Sequence, residues 1–170
     1  GGGEAPACEL RGHTLGHYLS ACALMWAHEG DEVLKRHGDY LVSELAKVQE
    51  ALAPKASAPG YLSAFPESFI DRVEQGRRVW APYYTLHKIL AGLLDMHVLA
   101  GNARALEILR NKASWLKSRV DRLAEEQMQK ALQNEFGGMN EVLANLHAVT
   151  GDPEHLRLAR AFDHLSLIHI

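Results

Sequence analysis

The chain is short of what metal- and disulfide-built proteins depend on. Its 170 residues hold two cysteines, Cys8 and Cys22. There is no CxxC pair and no Cys/His spacing of a zinc finger, so no metal site is expected within the chain. The two thiols can pair or stay free, and the sequence leaves both open. No apolar run approaches the roughly 20 residues of a membrane-spanning helix, so no membrane partner is expected. There is no basic tract either. The 18 Lys and Arg stand against 21 Asp and Glu, a formal charge of −3, which gives no footing for a nucleic-acid partner. GxSxG, the phosphate-cradling glycine loop and the dinucleotide glycine fingerprint are all missing. No segment reads as a convincing strand. The start at Gly1 lacks the charged and apolar regions of a signal peptide, and the compartment stays open between secreted, periplasmic and cytoplasmic.

What remains is a composition of 47% hydrophobic and 23% charged residues, enough for one soluble core. The apolar pattern is helical. Leu15, Tyr18, Leu19, Cys22, Met25 and Trp26 recur at three- and four-residue spacing. Further helices are expected from Asp31 to about Ala53, from Pro82 to about Ala100, from Ala103 to about Gln133 with a break near Leu123, from Met139 to Thr150, and from Asp152 towards His164. Residues 54–81, with their prolines and glycines, read as a long loop. A repeat links the helices. "MWAHEGDEVLK", "MHVLAGNARAL" and "LHAVTGDPEHL" each place a bulky apolar residue five positions before a glycine, and Asp or Asn just after it. Glycine supplies the left-handed end of one helix, and the Asp or Asn oxygen caps the next. The expected fold is therefore all-α, three αα-hairpins turning at Gly30, Gly101 and Gly151. The unequal spacing of the turns favours half of a closed (α/α)6 barrel over an open solenoid with a fixed period.

The starts of the three hairpins carry the candidate chemistry: "LRGHTLGHYLSA", "WAPYYTLHKILAG" and "NEFGGMNEVLANL". In a toroid they would meet at one mouth. His13 and His17 share a helix face and read as pocket residues, as ordinary helix-start residues, or as a metal pair without a third ligand. Tyr83, Tyr84 and His87 fall within one turn and need hydrogen-bond partners if buried. Trp80 is a stacking platform or a core plug. Asn140 and Glu141 follow a Gly pair that permits close approach of a ligand. Otherwise Asn140 is a helix cap and Glu141 a first-turn acid favoured by the helix dipole. Such a mixture of aromatic faces with a few imidazole, amide and carboxylate groups suits a carbohydrate.

These motifs, with "GYLSAFPESFIDR" between them, together resemble glycoside hydrolase family 127 and its relatives, the β-L-arabinofuranosidase group. The resemblance covers residues 9–164. It implies an (α/α)6-barrel catalytic domain that releases L-arabinofuranose from plant-type glycans with retention. It further implies a cysteine thiolate nucleophile on a zinc held by a Glu and other cysteines, with a second Glu as acid/base. Those motifs lie downstream of the matched region, so zinc is expected in a full-length protein and no cofactor in this chain. His87 matches a family histidine that contacts the sugar. Residues 1–164 are accordingly expected to be part of the catalytic domain, separated from the rest of the barrel and inactive alone. Residues 165–170, an apolar run, are expected to be a tail foreign to the domain. The competing reading is a non-catalytic α-hairpin module for binding proteins.

Overall fold

A computed structural model describes residues 5–165. The expected 165–170 tail lies outside the described residues apart from Leu165. Among the described residues the chain is all-helical, with no strand. The helices are α1 (His13–Glu29), α2 (Glu32–Leu52), α3 (Ser68–Glu74), α4 (Pro82–Val98), α5 (Ala103–Val120), α6 (Glu125–Leu132), α7 (Gly138–Thr150) and α8 (Pro153–Ala161). The helix expected over 103–133 is broken at residues 121–124 into α5 and α6, where the sequence places the break. The loop expected over 54–81 is corrected by α3. Its seven residues are too few to show a period, and the prolines before it masked it.

The three repeated turns are built as their residues dictate. Gly30, Gly101 and Gly151 take φ of 68°, 70° and 69°, which side chains disfavour. Asp31 accepts from the Val33 and Leu34 amides, Asn102 from Ala105 and Asp152 from Glu154. Each turn therefore satisfies the end of one helix and the start of the next.

Packing arranges the longer helices in two rows. α4 lies between α1 and α7, and α5 between α2 and α8, while α1 packs on α2, α4 on α5 and α7 on α8. The first row is unusually close at one place. A Cβ on Gly16 would lie 2.0 Å from the Lys88 carbonyl oxygen, and one on Gly92 would lie 2.4 Å from the Gly16 carbonyl oxygen. Two glycines facing each other bring the α1 and α4 backbones into contact. α4 is consequently buried on nearly every side, from Tyr83 through Leu86, Ile89, Leu90 and Leu93 to Met96.

α3 is fixed from outside the rows by one guanidinium. Arg119 of α5, 4% exposed, binds Glu67 at 3.2 Å, Asp71 at 2.5 Å and Glu74 at 2.7 Å. Glu67 also accepts from the Trp115 indole at 2.8 Å and from the Ser57 amide at 2.8 Å. The loop carboxylate Glu67 is thus a clamp on the 54–67 segment.

Candidate functional site

The start of α4 is held by a carboxylate from another part of the chain. Pro82 is its first residue and Ala81, at φ 52°, its unusual left-handed cap. No side chain of the helix caps it. Instead Glu135, between α6 and α7, accepts the Tyr83 amide and, at 3.1 Å, the Tyr84 amide. The carboxylate sits where the helix dipole and free N–H groups favour negative charge. Burial works against it and lifts its pKa to about 7, with the two amides pulling the other way. Asn134 secures the same junction, donating to the Val79 carbonyl at 2.8 Å and accepting the Val79 amide at 3.2 Å.

Glu135 lines a pocket with Tyr83, Tyr84, His87, Phe136, Gly137, Gly138, Met139 and Phe162. Its volume is about 40 Å3, room for a hydroxyl-sized group at the base of a larger ligand. His87 forms its inner wall. The residue is 8% exposed, and its Nδ1 is buried without a hydrogen-bond partner. Burial pushes the imidazole pKa down to about 4, helped by Lys88 and opposed by Glu141, so it is neutral at pH 7. Gly138 lies against the ring, and a Cβ there would come within 2.4 Å of Nδ1. The Gly pair therefore serves close approach, but the approach is to His87. Tyr83 is buried and packs edge-on against Phe162 with ring centroids 5.2 Å apart.

Outside this wall an aromatic and imidazole cluster faces solvent. The Tyr84 hydroxyl lies 3.0 Å from His17 Nε2. Its ring centroid is 5.8 Å from that of His13 and 6.3 Å from those of His17 and His87. Lys88 Nζ sits 5.3 Å from the same ring centroid, a cation–π contact. His13 and His17 rings are 5.9 Å apart, but His13 Nδ1 is bonded to the Leu10 carbonyl at 2.9 Å. Burial, then Lys88 and His13, hold the His17 pKa down. His13, His17, Tyr84 and His87 are thus brought together from α1 and α4, although they are 74 positions apart at the extremes.

The other expected residues divide. Trp80 is 60% exposed, which removes the core-plug alternative and leaves an open ring beside the α4 start. Its amide donates to Glu9 at 2.9 Å. Glu141 is exposed and reaches His87 through its charge. Asn140 does not cap α7, whose N-cap is Gly137. Its amide nitrogen donates to the Ala159 carbonyl at 3.0 Å and to Asp163 at 2.7 Å, tying α7 to the end of α8. Cys22 is fully buried in α1 and Cys8 half-buried, and both are free thiols.

The family model described as the β-L-arabinofuranosidase, GH127 catalytic domain matches residues 1–170. The chain belongs to this glycoside hydrolase family. No curated protein matches it. Membership makes a carbohydrate the substrate class. None of the described helices is long and apolar enough to cross a membrane.

Among the described residues the zinc-thiolate set that the resemblance implies finds no fitting donors. Among the described residues no three His, Cys, Asp or Glu side chains stand close enough to hold a metal ion. Burial raises the Cys22 thiol above its ordinary pKa, the reverse of what a nucleophilic thiolate needs. The site residue that sequence reasoning missed is Glu135. Its partners lie more than fifty positions away, and the only local signal was an acid directly before Phe-Gly-Gly with no helix of its own to cap.

Proposed function

We propose that the chain supplies one wall of the sugar pocket of a retaining glycosidase acting on L-arabinofuranosides. The observation that carries this reading is the buried, unpartnered Nδ1 of His87 at the base of a pocket walled by Tyr83, Tyr84 and Glu135. A buried polar nitrogen without a partner is costly, and a sugar hydroxyl would repay it. Tyr84 and His17 stand at the mouth to meet further hydroxyls, with His13 behind them and Trp80 to stack on C–H faces. Glu141 acts on His87 through its charge. Asn140 is left out of the pocket, because its amide is committed to α8.

We read the three helix pairs as half of an (α/α)6 ring, with α1, α4 and α7 as its inner row and α2, α5 and α8 as its outer row. The missing half would complete the mouth and bring the thiolate, the zinc and the acid/base carboxylate. The isolated chain is therefore expected to bind but not to hydrolyse. A helical module for binding other proteins would leave the cluster at the α4 start without a purpose.

Saturation-transfer NMR with methyl β-L-arabinofuranoside tests the reading. The sugar should receive saturation from the chain, and His87→Ala should abolish the effect while leaving the helical circular dichroism unchanged. Equal signals from His87→Ala and the parent chain would refute the pocket. An aryl β-L-arabinofuranoside should be turned over no faster than in buffer, and zinc-dependent turnover lost in Cys22→Ser would refute the division of labour.

A further inference from the structure

A second concavity lies beside the His87 pocket, and its chemistry is different. It is a cleft of about 370 Å3 between the end of α3 and α6, lined by Val73, Gly76, Arg77, Arg78, Lys130, Gln133 and Asn134. Three of these are cations, and no carboxylate lines it. The chain as a whole carries an excess of acid, so three cations together are a local departure.

The acids nearest Arg77 and Arg78 in the chain are engaged elsewhere. Asp71 and Glu74 of α3, with Glu67 before it, all turn to the buried Arg119. Glu9 is bonded to Arg72 and to the Trp80 amide. Among the described residues the guanidinium groups of Arg77 and Arg78 and the ammonium of Lys130 make no hydrogen bond or ion pair. The backbone around them is nevertheless fixed. The Arg77 amide donates to the Arg72 carbonyl at 2.8 Å, and the Arg78 carbonyl accepts from the Arg72 guanidinium at 3.0 Å. Lys130 is also confined, because its stem lies across Gly76, where a Cβ would meet Cε at 2.4 Å.

Cleft and pocket share their walls. Asn134 lines the cleft and the next residue, Glu135, lines the pocket, with about 3.8 Å between consecutive Cα atoms. On the facing wall Arg78 lines the cleft and Tyr83 the pocket, with the exposed Trp80 between them in the chain. The Asn134–Val79 pair bolts the two walls together. A saccharide whose end sits on His87 would pass Trp80 and bring its next units over the cations.

We propose that this cleft binds the carboxylates of uronic-acid units, so that the glycan reaching the His87 pocket is an acidic one. Planar guanidinium groups match planar carboxylates in two-point contact, and the Lys130 ammonium, held beside Gly76, adds a point charge. The cleft thereby selects among arabinose-bearing glycans by what flanks the arabinose. The proposal rests on the reading of the neighbouring pocket as a sugar site.

Titration calorimetry of the 170-residue chain with trigalacturonic acid and with its neutral methyl ester tests the cleft. The two probes share rings and linkages and differ in charge. The acid should bind about tenfold or more tighter than the ester, with the advantage shrinking as salt rises. Arg77→Gln with Arg78→Gln should erase the preference, as should Lys130→Gln in part, and all three side chains are exposed, so the fold should survive. His87→Ala should leave the preference intact. Equal binding of acid and ester, a preference that persists in the double variant, or equal affinity for a single-stranded oligonucleotide of matching charge would each overturn the proposal. An acid preference without any His87-dependent signal from methyl β-L-arabinofuranoside would instead bring down the pocket reading and leave the cleft as an anion site in its own right.

Discussion

At the scale of single residues, the site is a pair of buried groups with opposed titrations. Burial holds His87 down to about 4 from its ordinary 6.5 and lifts Glu135 to about 7 from 4.5. The His87 contribution to stability is present above pH 6.5 and lost as pH falls through about 4. That of Glu135 is present below pH 4.5 and lost as pH rises through about 7. Between pH 4.5 and 6.5 folding moves one proton from imidazole to carboxyl and binds none in net. Glu135→Gln should therefore uncover the His87 slope, with stability rising from pH 4 to 6.5 by on the order of 2 kcal/mol. His87→Gln should uncover the opposite slope up to about pH 7. Denaturant melts across that range check both, and two flat profiles would refute the account. Lys112 gives a second test. It is 1% exposed, with Nζ donating to the Leu62 carbonyl at 2.9 Å, and burial brings its pKa down to about 7. Its penalty is full below pH 7 and fades towards 10.5. Lys112→Met should thus raise stability at pH 6 by about 1 to 3 kcal/mol, net of the lost hydrogen bond, with the gain vanishing near pH 10. His87 could be singled out from the sequence, because an imidazole and two tyrosines in one helical turn are locally conspicuous. Glu135 and Lys112 could not, because their burial is decided by partners remote in the chain.

At the scale of elements, what could be read follows whether the cause is local. The turns at Gly30, Gly101 and Gly151 were legible because capping chemistry needs only the residues on either side. α3 was not, because Arg119 organises it from α5. The α1–α4 crossing was not either, because Gly16 and Gly92 look like indifferent helix glycines until the two helices are set together. Alanine substitutions separate the two kinds of glycine. At Gly30 or Gly101 nothing stands within 4 Å of a new Cβ, so the loss should be the backbone term alone, about 1 to 2 kcal/mol. At Gly16 the Cβ would meet backbone atoms of Lys88 and Ile89, and rigid backbone cannot yield as a side chain can. The loss there should reach about 3 kcal/mol or more. It should also disturb the His87 pocket, since Lys88 follows His87. Thermal melts of the three variants order the effects, and a Gly16→Ala protein as stable as Gly30→Ala would refute the crossing.

At the scale of the whole molecule, two rows of helices must end somewhere. α1 is covered by α2 and α4 on two sides. Its exposed surface carries Tyr18, Leu24 and Met25, open by 39%, 55% and 39%, with the Tyr18 hydroxyl 3.1 Å from His37 Nδ1 of α2. Tyr18, Ala21 and Met25 are three and four apart and form one stripe along the helix, with Leu24 on its flank, the pattern of a face that meets a neighbour. In the ring we propose, that neighbour is a helix of the missing half. The cost of leaving it bare can be bounded. The chain exposes 8710 Å2, whereas a folded monomer of 18.8 kDa exposes about 8300 Å2. That excess of about 400 Å2 is spread over the whole chain, and even gathered into one apolar face it would be the size of a single interaction patch, worth at most about 10 kcal/mol if wholly buried. That falls short of a core laid open, and most of it is offset by the cost of association. The chain should accordingly fold, and should self-associate in a concentration-dependent way through the α1 stripe. Light scattering on a sizing column should give a mass that rises with loading. Tyr18→Glu with Met25→Glu should return it to the monomer and leave the melting temperature within a few degrees. A parent chain that stays monomeric at about 100 µM, with a sharp transition in the ordinary range of about 45–65 °C, would mean that the α1 face has no partner to find and that the ring reading is wrong.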